Sequence, residues 1–123
     1  MRVVHVVRQF PPSVGGLENF VISLAKQQQK QGLDVSILTL NRIKMDSKTV
    51  LSKHDVIEGI PVRRIGFVGS FRYPIAPGVL RQIADADIVH VHAVDFFCDF
   101  LALTRPLHRK PLVLTTHGGF FHT

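Results

Sequence analysis

An α/β fold, an open parallel sheet with helices on both faces, is what this sequence predicts, and three observations carry the prediction. Short apolar runs rich in β-branched residues recur at residues 2–7, 35–40, 88–92 and 111–116. They lack the polar alternation of strands with one wet face, so they read as strands covered on both sides. Between the first two lies a segment with helical periodicity, and strand, helix, strand within about 40 residues is a right-handed βαβ unit. Third, segments rich in Gly, His and Pro follow directly on three of the runs, where open parallel sheets place their ligands.

In order, residues 2–7 form the first strand, and His5 is its one polar interruption. Gln9, Phe10, Pro11, Pro12, Ser13, Val14, Gly15 and Gly16 then turn the chain into a helix. The prolines restrict the exit from the strand, and the glycines leave backbone N–H groups at a helix N-terminus open to an anion. A plain tight turn would use the same pair of glycines. The pattern is neither the G-x-G-x-x-G fingerprint nor a P-loop, which argues against a dinucleotide oxidoreductase or an NTPase. Leu17, Phe20, Val21, Leu24 and Ala25 mark the expected buried face of the helix. Gly32 is placed to end it in a left-handed conformation, with Leu33 as the apolar contact of the cap.

Residues 35–40 are the second strand, and residues 41–55 an exposed excursion. Residues 56–65 predict a short strand or a hairpin, with Glu58 and Gly59 as the turn and Val62, Arg63, Arg64 and Ile65 as a returning edge. Residues 66–78 form a loop that packs its rings. A short helix over 79–84 precedes the third strand at 88–92, and a helix over 96–107 is expected to bury Phe97, Phe100, Leu101 and either Leu103 or Thr104, with Pro106 curtailing its end. The last strand, 111–116, delivers His117, Gly118 and Gly119 to its carboxyl end. There is no internal repeat and no linker, so residues 1–123 read as one domain, a size that buries roughly two-thirds of the surface of its unfolded chain.

The apolar N-terminal run breaks too early for a signal peptide or a membrane span. A single cysteine, Cys98, cannot form an internal disulfide. The formal net charge of +6 calls for an acidic partner such as a nucleotide, a phospholipid surface or nucleic acid. Much of the charge falls within residues 42–72, where Arg42, Lys44, Lys48, Lys53, Arg63, Arg64 and Arg72 face only Asp46, Asp55 and Glu58. That stretch reads either as a solvated surface or as a docking face. No nucleic-acid recognition pattern accompanies it, so nucleic acid is not expected as a partner.

Three chemically unusual segments, residues 11–16, 92–95 and 117–119, converge on one edge if the strands before them run parallel. His90 and His92 share a strand face at the spacing of a two-ligand metal site, but no third ligand stands at a convincing spacing. They are read as core or cleft histidines, and no metal is expected. Asp95 reads as the cap of the helix that follows, with an acceptor hydroxyl as its other possible partner.

Pro-Pro-Ser-x-Gly-Gly-Leu-Glu-Asn at residues 11–19, Ile-Val-His-Val-His at 88–92 and Thr-Thr-His-Gly-Gly at 115–119, in this order, resemble the N-terminal domain of retaining glycosyltransferases of family 4, with the GT-B fold. Within that family the chain is most similar to bacterial exopolysaccharide α-mannosyltransferases of the xanthan and acetan type. The resemblance implies a Rossmann-like domain that, with a second, donor-binding domain absent here, encloses the active site. It implies that Gly15 and Gly16 approach the donor diphosphate and that His117 reaches the donor sugar near the reacting carbon. Glu18, His92, Asp95, Gly118 and Gly119 become candidates for the acceptor side of the cleft. The donor it implies is a nucleotide-sugar, with GDP-mannose expected, and the acceptor a lipid-linked saccharide at the inner face of the cell membrane. Arg63, Arg64 and Arg72 are then candidates for an anionic membrane face. No cofactor is implied. A non-catalytic Rossmann-like or flavodoxin-like module docking through its basic face is the alternative. On the resemblance, the chain is expected to be a piece of a longer enzyme and inactive alone.

Overall fold

A computed structural model describes residues 1–7, 16–41, 51–69, 74–92 and 96–115. The chain builds β1 (Arg2–Val6), α1 (Gly16–Lys30), β2 (Asp34–Leu40), β3 (His54–Ile57), β4 (Ile60–Ile65), β5 (Val68–Gly69), β6 (Pro74–Ile75), α2 (Val79–Gln82), β7 (Ile88–His92), α3 (Phe96–Leu103), α4 (Arg105–His108) and β8 (Leu112–Thr115). Six strands form one sheet in the order β3-β4-β2-β1-β7-β8, and β5 and β6 make a separate ribbon. All neighbours in the large sheet are parallel except β3 and β4. From β1 the chain steps one way to β2 and β4, then crosses to the other side of β1 for β7 and β8. This reversal makes the β1/β7 boundary the topological switch point, where an open sheet holds its ligand.

Alternation along the central strands divides the core in two. Val4, Val6, Leu38, Val89 and Val91 pack with α2 and α3, where Phe97 and Leu101 are buried. Val7, Val35, Ile37 and Val62 pack under α1 against Val21, Ile22 and Ala25. Both faces are covered, as unalternated apolar strands require.

The seated face of α1 differs from the expected one. Phe20 is exposed and Leu24 only half-buried, whereas Ile22 is buried. The helix lies over β2 and β4, and packing on that sheet surface selects the row Val21, Ile22, Ala25. Its C-terminus matches expectation: Gly32 has φ +87°, its N–H donates to the Gln29 carbonyl at 3.0 Å, and the Leu33 N–H donates to the Gln28 carbonyl at 3.1 Å. Those two bonds define a Schellman cap, and Leu33 packs against the core beneath α1.

The β3–β4 hairpin turns at Glu58 (φ 52°) and Gly59 (φ 82°), two positive angles that match the twist of its strands. Lys26 of α1 pairs with Glu58 at 2.5 Å, and the Gln29 amide donates to the Gly59 carbonyl at 3.2 Å, docking the turn on the helix. The edge, however, is β3. The returning strand β4 lies inside the sheet, paired parallel with β2, so its arginines do not guard an edge.

Two further elements depart from the sequence expectation. The helix over 96–107 is two helices broken at Thr104, with Pro106 in the first turn of the second, where its missing N–H costs no bond. Leu103 is exposed, while the Thr104 hydroxyl donates back to the Phe100 carbonyl at 2.6 Å. Strand β8 is an edge among the described residues, and its Val113 and Leu114 are nearly half exposed rather than buried. Of the aromatic residues in the 66–78 loop, Phe67 packs against the core; Phe71 and Tyr73 lie outside the described residues.

Candidate functional site

β1, β7 and β8 are neighbours and run parallel, with Val6 opposite Val91 and His92 opposite Thr115. The three segments singled out in the sequence therefore leave from adjacent carboxyl ends. Gly15, Asp95, His117, Gly118, Gly119 and Arg72 themselves lie outside the described residues. Gly16 is the first residue of α1 and Glu18 lies in its first turn. Phe20 of the same helix meets the His92 ring edge-on at 6.3 Å, which puts the start of α1 above the carboxyl end of β7.

Below that edge the fold assembles a group that spacing along the sequence did not reveal. His5 and His90 are register partners on β1 and β7, and His92 follows two residues on, so all three imidazoles share the face beneath α1. Ring centroids of His5 stand 5.1 Å from those of both partners, and His90 stacks on His92 at 4.2 Å. His5 and His92 are fully buried and His90 half-buried. The third imidazole, judged missing from the spacing of His90 and His92, comes from the opposite end of the chain. The signal available for it was His5 itself, the one polar residue in a run that otherwise demands burial.

Hydrogen bonding sets the tautomers. The Gln28 side-chain oxygen Oε1 can only accept, so His5 Nε2–H donates to it at 2.6 Å. His5 Nδ1 is then an acceptor and receives His92 Nε2–H at 2.9 Å. His90 Nε2 and Thr115 Oγ1 are 2.6 Å apart. Burial holds His5 below the ordinary imidazole range, because the cation would lose its hydration, and the bond to Gln28 opposes that shift in part. His5 thus joins Gln28 to His92 through directional bonds at both of its ring nitrogens.

Two of the basic candidates, Arg63 and Arg64, are engaged elsewhere. Arg64 is buried, and its Nη1 donates to Asp55 Oδ2 and to the Ser52 carbonyl, both at 3.2 Å. Arg63 is half-buried; its Nη1 donates to Gln82 Oε1 at 3.2 Å and its Nη2 lies 3.9 Å from Asp85. Arg64 thus joins β4 to the edge strand. Removing one partner of a buried charge costs more than replacing the charge by an apolar chain of similar size. Asp55→Ala is therefore expected to destabilise the fold by about 1–3 kcal/mol, and Arg64→Met by less, as read from the midpoints of urea unfolding. The reverse order would show that the pair does not hold the hairpin.

A family model described as Glycosyltransferase Family 4 matches residues 14–123, which is most of the chain. The chain belongs to glycosyltransferase family 4. Along its whole length this family 4 chain is 57% identical to a protein of Xanthomonas oryzae pv. oryzae (strain PXO99A) named GDP-mannose:cellobiosyl-diphosphopolyprenol alpha-mannosyltransferase. It is 56% identical to the protein of the same name from Xanthomonas campestris and 52% to that from Komagataeibacter xylinus. It covers 33%, 33% and 31% of those proteins, so it spans about a third of the length of these relatives. The mostly parallel sheet with its switch point at β1/β7 agrees with the Rossmann-like half of a GT-B enzyme.

Proposed function

We propose that the protein carrying this chain transfers mannose from GDP-mannose to a polyprenyl-diphosphate-linked cellobiosyl acceptor, with retention at the sugar's reacting carbon, and that this chain forms the acceptor side of the cleft. The observation that carries the reading is identity of 52–57%, along every residue of the chain, to three relatives whose names state that reaction. The parallel, adjacent carboxyl ends of β1, β7 and β8 support it, because they start the glycine turn and the His117 segment from one edge.

As the glycosidic bond to the donor breaks, negative charge builds on the leaving diphosphate. Backbone N–H groups at Gly15 and Gly16, where α1 begins, are suited to meet it without reorganising. His117 is assigned to the donor sugar near its reacting carbon, and Glu18, Asp95, Gly118 and Gly119 to the acceptor side; His92, which is fully buried, lies beneath that edge and is not given an acceptor contact. An acceptor whose lipid sits in the bilayer brings the enzyme to the inner membrane face as a peripheral protein. No helix among the described residues is long and apolar enough to cross a membrane.

The test is a transfer assay with the whole protein, radiolabelled GDP-mannose and cellobiosyl-diphosphopolyprenol. The expected result is label in the lipid fraction as an α-linked mannosyl trisaccharide, and no transfer by the 123-residue chain alone. Transfer from another nucleotide-sugar with GDP-mannose inert, or transfer by the short chain, would overturn the proposal.

A further inference from the structure

His5, His90 and His92 each offer one ring nitrogen, and these three atoms lie within 4.8 Å of one another. We propose that they form a binding site for a first-row transition-metal ion of the zinc class, held by three imidazoles with a fourth position left for water or an anionic oxygen.

Imidazoles that bind metal almost always place their other nitrogen on an oxygen partner, which sets the tautomer and the ring orientation. His5 Nε2–H is held by Gln28 Oε1, which leaves Nδ1 to face the cluster. His90 Nε2 meets Thr115 Oγ1 at 2.6 Å, and His90 offers one ring nitrogen to the group of three. His92 presents Nε2, the atom already directed at His5 Nδ1. The oxygen partners of His5 and His90 come from α1 and β8, two elements that flank the cluster.

Bonds of about 2.0–2.1 Å at a tetrahedral angle separate two ligand nitrogens by about 3.3 Å. His5 Nδ1 and His92 Nε2 are 2.9 Å apart. The pair needs to open by a few tenths of an ångström, and the stacked His90 and His92 rings to turn about χ2 so that the third nitrogen, within 4.8 Å of the others, closes on the ion. Binding exchanges the His92–His5 hydrogen bond for two metal bonds, and the His92 proton moves to Nδ1. All three ligands are neutral when bound, as imidazole ligands must be. Nitrogen donors alone select Zn²⁺, Co²⁺, Ni²⁺ or Cu²⁺ over Mg²⁺ and Ca²⁺, which take oxygen. Half-buried His90 gives the ion its way in.

The test is titration of the tag-free whole protein with Co²⁺ after removal of metals by chelator. The expected result is one equivalent bound, with the intense visible absorption of four- or five-coordinate Co²⁺, displaced by Zn²⁺ and untouched by Mg²⁺. His90→Ala is expected to abolish the spectrum, and His54→Ala, at an exposed edge position, to leave it unchanged. Thr115→Val keeps all three ligands and guards against misfolding of the ligand variant; with unchanged circular dichroism it is expected to weaken binding about 10–100-fold. No saturable binding by the unsubstituted protein, or a spectrum that survives His90→Ala, would overturn the proposal. Because the readout is spectroscopic, it stands or falls independently of sugar transfer.

Discussion

His117→Ala in the whole enzyme is expected to lower kcat by about 10²–10³, the range for losing one preorganised group that stabilises a transition state. The KM for GDP-mannose is expected to change by no more than a few-fold. The reason for the split is that a group placed at the reacting carbon acts on charge present only as the bond breaks, whereas nucleotide affinity arises from groups elsewhere on the donor. Steady-state kinetics at saturating acceptor would measure both constants. An unchanged kcat would remove His117 from the chemistry and leave it as a residue that ends a strand. A rise in KM with kcat intact would move it to ground-state binding of the donor.

Phe97→Ala is the second large effect, and it concerns the frame on which the site is built. Phe97 is 1% exposed at the start of α3, in the core that includes Val89, Val91 and Leu101. Truncating a buried phenylalanine removes its transfer free energy and leaves a cavity, at a cost of about 3–5 kcal/mol. That is a large part of the stability of an ordinary domain. Leu103→Ala, on the same helix but 81% exposed, is expected to change stability by less than about 0.5 kcal/mol. Urea unfolding of the two variants would check the contrast. Equal losses would mean that α3 does not seat through Phe97.

The extent to which the sequence was readable followed from where the information lies. Unalternated β-branched runs, a glycine cap at Gly32 and a Glu58-Gly59 turn are local signals, because each reflects the backbone preferences of a few neighbouring residues. The rotation of α1 was not local. Val21 and Ala25 were expected to be buried and are, but contact with β2 and β4 decided that Ile22, and not Phe20 or Leu24, completes the buried row. Arg63 and Arg64 were misplaced for a related reason: a basic strand looks like an edge until an outer strand, β3, is found beside it.

By itself, the sequence determined the α/β class, the succession of strands and helices, and the segments that would carry chemistry, and its motifs pointed to family 4. Local propensity and hydrophobic period suffice for these, since each depends on residues near one another along the chain. Only the tertiary structure decided that β1, β7 and β8 lie side by side, and that His5 meets His90 and His92 beneath α1. No spacing encodes a contact between residues 5 and 92; it exists because the chain reverses its crossover at the β1/β7 boundary, which makes the first strand the neighbour of a strand formed more than 80 residues later.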